Sequence, residues 1–309
     1  MTNSPSSAQA FLSIVVPTFR REGYLPPLFD ALAAQIAGVA AKAEVVLVDN
    51  SPEATAREVA GTAPEFLRYV HEPSPGVARA RNRGVAEARG THIIFLDDDE
   101  LPDPGWLSAF AAAADAGAKA AFGPIEPQFE SPPPDDIRAP LDRVFSRRLP
   151  AADGADITAS RAYLGSGNSM FAASVLALVS PPFDTAFDGG GEDVWLLRHL
   201  VDDHGVRLVW CTGAQVRELV PKDRATMAFL RRRRFSDGQL RALIESGRGG
   251  ASGAMRVAFW MAAGAAQAAG HGLAALVTRP FAPARSVRHA LAATGGLGKL
   301  LWWRRKLAR

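Results

Sequence analysis

The sequence predicts an α/β fold with a mainly parallel sheet flanked by helices, followed by a helical tail. Three observations predict it. Four short apolar runs alternate with helical patterns, polar and acidic residues gather where those runs end, and the final third changes to basic and alanine-rich. Parallel neighbours in a sheet need a crossover, and a helix is the usual return path. Ligands of such sheets sit beyond the carboxyl ends of the strands.

The first strand is LSIVVPTF (12–19), closed by Pro17 and followed by a helical pattern over 24–36. EVVLVDNS (44–51) with a helix over 53–61 makes a second unit, and FLRYVHE (66–72) with a helix over 76–89 a third. THIIFLDDDE (91–100) is the fourth strand. The strand ends therefore carry Thr18 and Arg20, Asp49 and Asn50, His71 and Glu72, then Asp97 to Glu100. Residues 124–159 are rich in Pro, Asp and Arg without sustained periodicity, and read as a long excursion over the site. Regularity resumes at YLGSGNSMFAAS (163–174). The glycine loop FDGGG (187–191) then enters a helix, EDVWLLRHLVDDHG (192–205), before strands RLVWC and AQVREL.

Charge is unevenly placed. From Asp223 onward there are 16 Lys and Arg against three acids, which leaves 19 basic against 29 acidic residues before it. An acidic body suits a site of carboxylates and metal; a basic, apolar tail suits an anionic surface. The division expected is a lead-in over 1–10, a catalytic domain over 11–222 and a tail over 223–309. A single cysteine, Cys211, excludes an internal disulfide framework and a cysteine-rich zinc site. The start MTNSPSSAQA lacks the basic, apolar and cleavage regions of a secretory signal, so a cytoplasmic setting is expected.

The sharpest chemical signal is Asp97, Asp98 and Asp99 directly after HIIFL. Adjacent carboxylates repel one another. A divalent cation with a diphosphate resolves that repulsion, and a hard oxygen ligand set suits Mg2+ or Mn2+. The competing explanation is an acidic lead into the helix that begins near Pro104, favoured by the helix dipole.

Six motifs then appear in order: IVVPTFRR, VVLVDNSP, PGVARARNRGVAEARG, IIFLDDDELPDPGWL, GSGNSMF and FDGGGEDVWLLRHL. In these the chain resembles the family-two glycosyltransferases, and within them the branch that builds succinoglycan-like bacterial exopolysaccharides. The resemblance covers residues 11–222. It implies a GT-A fold, a Rossmann-like, mixed and mainly parallel sheet. By the same resemblance Pro17, Thr18 and Arg20 line a nucleotide pocket, and Asp49 accepts hydrogen bonds from the base or ribose. Arg81 and Asn82 lie by the nucleotide. Asp97 and Asp99 play the DxD role, Asp99 as the direct metal ligand and Asp98 toward the ribose or donor sugar; which carboxylate takes which part stays open. Gly165, Gly167 and Asn168 form a loop over the donor sugar, Asp193 is the catalytic base with Glu192 beside it, and Arg233 or Arg234 holds the diphosphate. Trp106 serves either as a sugar platform or as core. The Gln-x-x-Arg-Trp signature of processive synthases is missing, which implies one transfer per encounter.

The implied reaction is inverting transfer of a hexose, with UDP-glucose as the first donor, to a lipid-linked oligosaccharide. Two other classes are weighed: a non-catalytic sugar-nucleotide-binding regulator, which has no need of Asp193, and a nucleotidyltransferase, which needs a glycine-rich phosphate loop that PTFRREGY does not provide. The stretch 257–278 holds 22 residues without Lys, Arg, Asp or Glu. At about 1.5 Å per residue it is long enough for roughly 30 Å of hydrocarbon. It is mostly Ala and Gly, with Gln267 and His271 inside, so an interfacial helix is preferred over a span. That helix would place Trp260, Trp302 and Trp303 at headgroup level, on the cytoplasmic face of a bacterial inner membrane. No nucleic-acid recognition motif accompanies Arg231 to Arg234.

Overall fold

The computed structural model describes residues 10–187, 190–246 and 250–304. The lead-in apart from Ala10, part of the FDGGG loop and the last five residues lie outside the described residues. The chain forms two compact units, Met1–Gln128 with Ser146–Leu219, and Phe129–Phe145 with Val220–Arg309.

The first unit is built on strands β1 (Phe11–Thr18), β2 (Lys42–Asp49), β3 (Leu67–His71), β4 (His92–Phe95), β5 (Glu100–Pro102), β6 (Ala120–Phe122), β7 (Ile125–Phe129), β8 (Ser169–Ala172), β9 (Val209–Trp210) and β10 (Val216–Val220). Seven form one sheet in the order β3-β2-β1-β4-β8-β6-β9, and β5-β10-β7 form another. In the large sheet only β8 runs against its neighbours. The expected mixed, mainly parallel sheet is present.

Both faces of that sheet are buried, which is why its strands read as near-continuous apolar runs. Leu12, Ile14 and Val16 face one core with Leu25, Leu28, Leu32, Trp106 and Phe110, from helices Leu25–Gly38 and Trp106–Asp115. Val15 and Phe95 face the other, with Leu196, Leu197 and Leu200 of helix Glu192–Asp202 and Ala78 and Ala80 of helix Val77–Glu87. Pro26 and Pro27 open the first helix, where their missing N–H groups cost nothing. Gly205, at φ +63°, closes helix Glu192–Asp202, and Val206 N–H bonds back to the Leu200 carbonyl.

Two expectations on local structure are corrected. The helix expected over 53–61 is only one turn, Arg57–Ala60. Before it, Asp49 and Ser51 capture the Ala56 and Thr55 N–H groups and hold the chain in a loop. The segment 124–159 is not irregular: it contains β7 and the helix Asp135–Phe145. Ile137, Leu141 and Phe145 keep one helix face through Pro140, a period that the surrounding prolines and charges obscure.

The second unit is helical. Its core joins Ile137, Leu141 and Phe145 to Val220, Ala225, Leu230 and Leu291. Helices Met227–Ser246, Gly250–Thr278 and Pro283–Leu300 pack at glycines. A Cβ on Gly264 would stand 2.7 Å from the Gly296 carbonyl oxygen, and one on Gly296 would stand 2.6 Å from that of Gly264. Bare backbone thus lets the helices approach, as small residues do wherever helices cross closely. Gln267 donates to the Ala292 carbonyl and accepts from Lys299 Nζ. Among the described residues no helix is long and apolar enough to cross a membrane, which corrects the spanning alternative for 257–278. Trp260 is half-buried, with Arg241 and Lys299 over its ring at 4.9 Å and 5.2 Å from the centroid. Trp303 stays exposed.

Candidate active site

Chain order places the site. From β1 the chain moves outward through β2 and β3, then returns to β4 on the other side of β1. The point of reversal in such a sheet leaves a crevice at the carboxyl ends of the strands. Thr18 ends β1 beside Asp49 of β2, which in turn pairs with His71 of β3. The three aspartates follow β4.

The aspartates divide between two cations. Thr18 donates its hydroxyl to Asp98 Oδ2 at 2.8 Å. Nη1 of Arg21 donates to Asp98 Oδ1 and Asp99 Oδ2, both at 2.8 Å. The Asp98 and Asp99 side chains are only 6% and 8% exposed. Burial pushes the Asp98 carboxyl up to about 6 despite the nearby Arg21. Asp97 is more open and accepts from Arg81 Nη2 at 3.1 Å.

Arg81, on helix Val77–Glu87, is buried and also donates through Nη1 to Glu192 Oε1. Burial works against its charge, but Asp97, Glu192 and Asp193 outweigh that and hold its proton more firmly than usual. Glu192 and Asp193 open helix Glu192–Asp202 after Gly191, which caps it at φ +99°. Burial, then the neighbouring Asp193, pushes the Glu192 carboxyl up to about 7. Its Oε2 is buried and has no hydrogen-bond partner among the described residues. Asp193 is half-buried, and its Oδ1 accepts from the Val194 N–H at 2.7 Å.

The loop Gly165–Ser166–Gly167 touches both groups. A Cβ on Gly167 would lie 2.7 Å from Asp97 Oδ2 and 3.0 Å from Glu100 Oε1; one on Gly165 would lie 3.2 Å from Asp193 Oδ2. Carboxylates separated in sequence therefore converge on one glycine loop.

Several sequence-predicted residues have other duties. Arg20, at φ +54°, is exposed and pairs with Glu53 at 2.7 Å, while its neighbour Arg21 meets the aspartates. Asp49 is buried, and its four lone-pair directions are taken by Ser51 N–H, Ser51 Oγ, Ala56 N–H and Tyr69 Oη. It shapes the loop after β2 and has none left for a base or ribose. Asn82 exchanges two hydrogen bonds with the Phe183 backbone. Asn168, buried at φ +46°, accepts from Trp106 Nε1 and donates to the Pro124 and Ala214 carbonyls. Trp106 is thereby core rather than a sugar platform. Pro17 lies within β1, half-buried. Arg233 and Arg234 belong to the second unit, where both pair with Asp237.

Two further residues, given no role by the motifs, belong to the site. Glu100 is buried, accepts the Asp97 N–H at 3.0 Å, and is held well above the usual carboxylate range by burial and by Asp97. Arg147 is buried and donates to the Gly123 and Gly165 carbonyls, at 2.8 Å and 3.0 Å, and to that of Asn168. Burial lowers it to about 10. It anchors both ends of the glycine loop. Nothing in FSRRLP distinguishes it from Arg148.

A divalent cation fits this donor set. Every oxygen on offer is hard, and Gly167 leaves open the space that a Cβ would fill against Asp97. Among the described residues no three acidic, histidine or cysteine side chains gather closely enough to hold an ion unaided. Such an ion would need further oxygens from outside the protein, of the kind Mg2+ commonly takes from phosphate and water.

Comparison with known proteins gives the family. The model of glycosyl transferase family 2 matches residues 13–156. The chain is similar to the succinoglycan biosynthesis protein ExoM of Rhizobium meliloti (strain 1021), 30% identical over 301 residues and covering 93% of each chain. It is 30% identical over 222 residues to validoxylamine A glucosyltransferase of Streptomyces hygroscopicus subsp. jinggangensis, covering 63% of this chain and 52% of that one. Among solved structures, S. aureus TarS 1–349 in complex with UDP-GlcNAc shares the fold, with a TM-score of 0.51, 15% identity, and 91% and 90% of the two chains covered. A likeness that runs nearly end to end in ExoM, on a GT-A-like mixed sheet flanked by helices, identifies this chain as a member of glycosyl transferase family 2.

Proposed function

We propose that this enzyme transfers a hexose, with inversion, from a nucleoside-diphosphate sugar to a lipid-linked oligosaccharide in bacterial exopolysaccharide or cell-surface glycan synthesis. UDP-glucose is the first donor to test, and Mg2+ or Mn2+ the cofactor. The observation that carries the reading is the tie from Asp97 through Arg81 to Glu192, which links the carboxylate proposed for the ion to the neighbour of Asp193, the proposed base. The UDP-GlcNAc in the TarS structure and the succinoglycan context of ExoM support donor and pathway class.

Asp97 and Asp99 would hold the ion, which when bound stabilises charge on the departing diphosphate. Thr18 orients Asp98. Asp193 takes the acceptor hydroxyl proton as the new bond to the anomeric carbon forms, since a carboxylate is too weak to ionise an alcohol beforehand. One displacement with one base and no enzyme nucleophile inverts the anomeric centre. Glu192, fixed by Arg81, holds the start of helix Glu192–Asp202 and so the direction of Asp193.

For the acceptor side we propose an anionic membrane surface at the cytoplasmic face of the inner membrane. Helix Gly250–Thr278 exposes Met255, Phe259, Leu273, Leu276 and Val277, and no acidic residue follows Glu245 in the chain. Apolar area with cationic flanks is the pattern of a helix lying in the headgroup plane. The decisive assay incubates purified protein and native membrane lipids with a panel of nucleotide sugars, with and without Mg2+ or Mn2+, and follows nucleoside diphosphate release. Metal-dependent release with one donor supports the reading; none with any donor removes it.

A further inference from the structure

Three consecutive aspartates have been given two kinds of counter-ion. Arg81, serving Asp97, is a fixture: its side chain is 7% exposed and bound at both ends, with Phe183 beneath it at 5.8 Å. Arg21, serving Asp98 and Asp99, is 38% exposed. It stands in the short turn after β1, with Tyr24 at 5.7 Å from its guanidinium carbon. A single nitrogen, Nη1, bridges one oxygen of each carboxylate, so one point of positive charge lies between two buried anions. Asp99 is a proposed ligand of the divalent ion, so this nitrogen stands against an oxygen that the ion would need.

We propose that Arg21 is the resident counter-cation of Asp98 and Asp99, that it and the divalent ion exclude one another, and that it passes to an oxygen of the donor diphosphate when ion and donor load together. The inference rests on the metal- and donor-binding reading above. Removing Arg21 without replacement would leave two buried carboxylates facing each other, so the apo protein needs it. A guanidinium keeps its charge at any working pH and matches a phosphate as well as a carboxylate, so it has somewhere to go once displaced. An ion arriving alone must expel Arg21 into water, and its apparent affinity falls by the fraction of molecules in which the site is open. An ion arriving with a diphosphate meets no such penalty. Donor and metal therefore bind cooperatively, and metal without donor binds weakly.

The test is Mn2+ titration of the full chain followed by the electron paramagnetic resonance of free Mn2+, first without nucleotide and then with UDP. Without nucleotide, Arg21→Met should bind Mn2+ roughly tenfold more tightly than the unmodified protein, and Arg21→Lys should stay near it. With saturating UDP the advantage of Arg21→Met should vanish or reverse, because the diphosphate has lost a cation. Arg21→Gln, uncharged and of similar reach, replaces the methionine variant if that one does not fold. Equal or weaker Mn2+ binding by a folded Arg21→Met or Arg21→Gln in the absence of nucleotide overturns the proposal. Failure of the underlying reading looks different: the unmodified protein would then take up no Mn2+ even with UDP.

Discussion

Arg81 donates to Glu192, 111 positions further along the chain, through one guanidinium nitrogen and to Asp97 through the other. The link makes one electrostatic unit of the carboxylates after β4 and those at the start of helix Glu192–Asp202. Replacing Arg81 by Met strands two carboxylates, one of them buried. Loss of one member of a buried ion pair costs about 3–5 kcal/mol, and a drop of that size is expected in urea unfolding. Transfer should fall at least a hundredfold. Unfolding midpoints unchanged from the parent would mean that the link carries little.

Asp193→Asn separates binding from chemistry. General-base removal is worth roughly 10²–10⁴ in rate, so kcat should fall by that factor while UDP binding, measured directly, stays within about twofold. A kcat close to the unmodified value would transfer the proton-accepting role to Glu192.

Glu192 gives stability a pH slope. Its folded carboxyl lies near 7, above the ordinary 4.5, because burial and Asp193 disfavour the charge. Between those values the folded state holds more proton than the unfolded one, so stability falls as pH rises, by at most about 1.4 kcal/mol per pH unit. Glu192→Gln should flatten that part of the curve in denaturant melts from pH 4.5 to 7. An unaltered slope would assign the titration elsewhere.

Gly167→Ala pushes a methyl to 2.7 Å from Asp97 Oδ2. Crowding of a packed site costs about 1–3 kcal/mol, and here the group that must yield is a proposed metal ligand. The expected result is a raised KM for donor and for Mn2+ with a smaller loss of stability. A variant with parental KM values would show that the loop has slack.

Phe259→Glu with Leu276→Glu alters two exposed positions on helix Gly250–Thr278. Burial of one such side chain is worth about 1.5–3 kcal/mol, so sedimentation with anionic vesicles should weaken more than tenfold. Binding of the parent should also loosen as salt rises. Stability in solution should hold. Undiminished vesicle binding by the double variant would exclude this face as the contact.

The four strand runs were legible because both faces of a parallel sheet are buried, so local composition declares them without knowledge of neighbours. The same is true of the ordered motifs, which depend on chain order alone. The helix Asp135–Phe145 was missed for the opposite reason: three buried apolar residues over three turns are a thin signal among the four prolines and five charges of 131–145. Arg147 had no local signal at all, since its importance lies in three backbone carbonyls brought together from residues 123, 165 and 168.

What the sequence determined by itself was an inventory: a carboxylate triplet after a buried strand, a Glu-Asp pair after glycines, and a basic tail without acids beyond Glu245. Only the tertiary structure decided which charge meets which. Arg20 and Arg21 are adjacent and chemically identical, yet one faces Glu53 and the other Asp98 and Asp99. Asp49, the same side chain as the three after β4, is already saturated by its own loop. The reason is range: apolar burial is additive and non-directional, so pattern predicts it, whereas a hydrogen-bonded ion pair exists only within about 3 Å and is settled by where the folded backbone places each side chain.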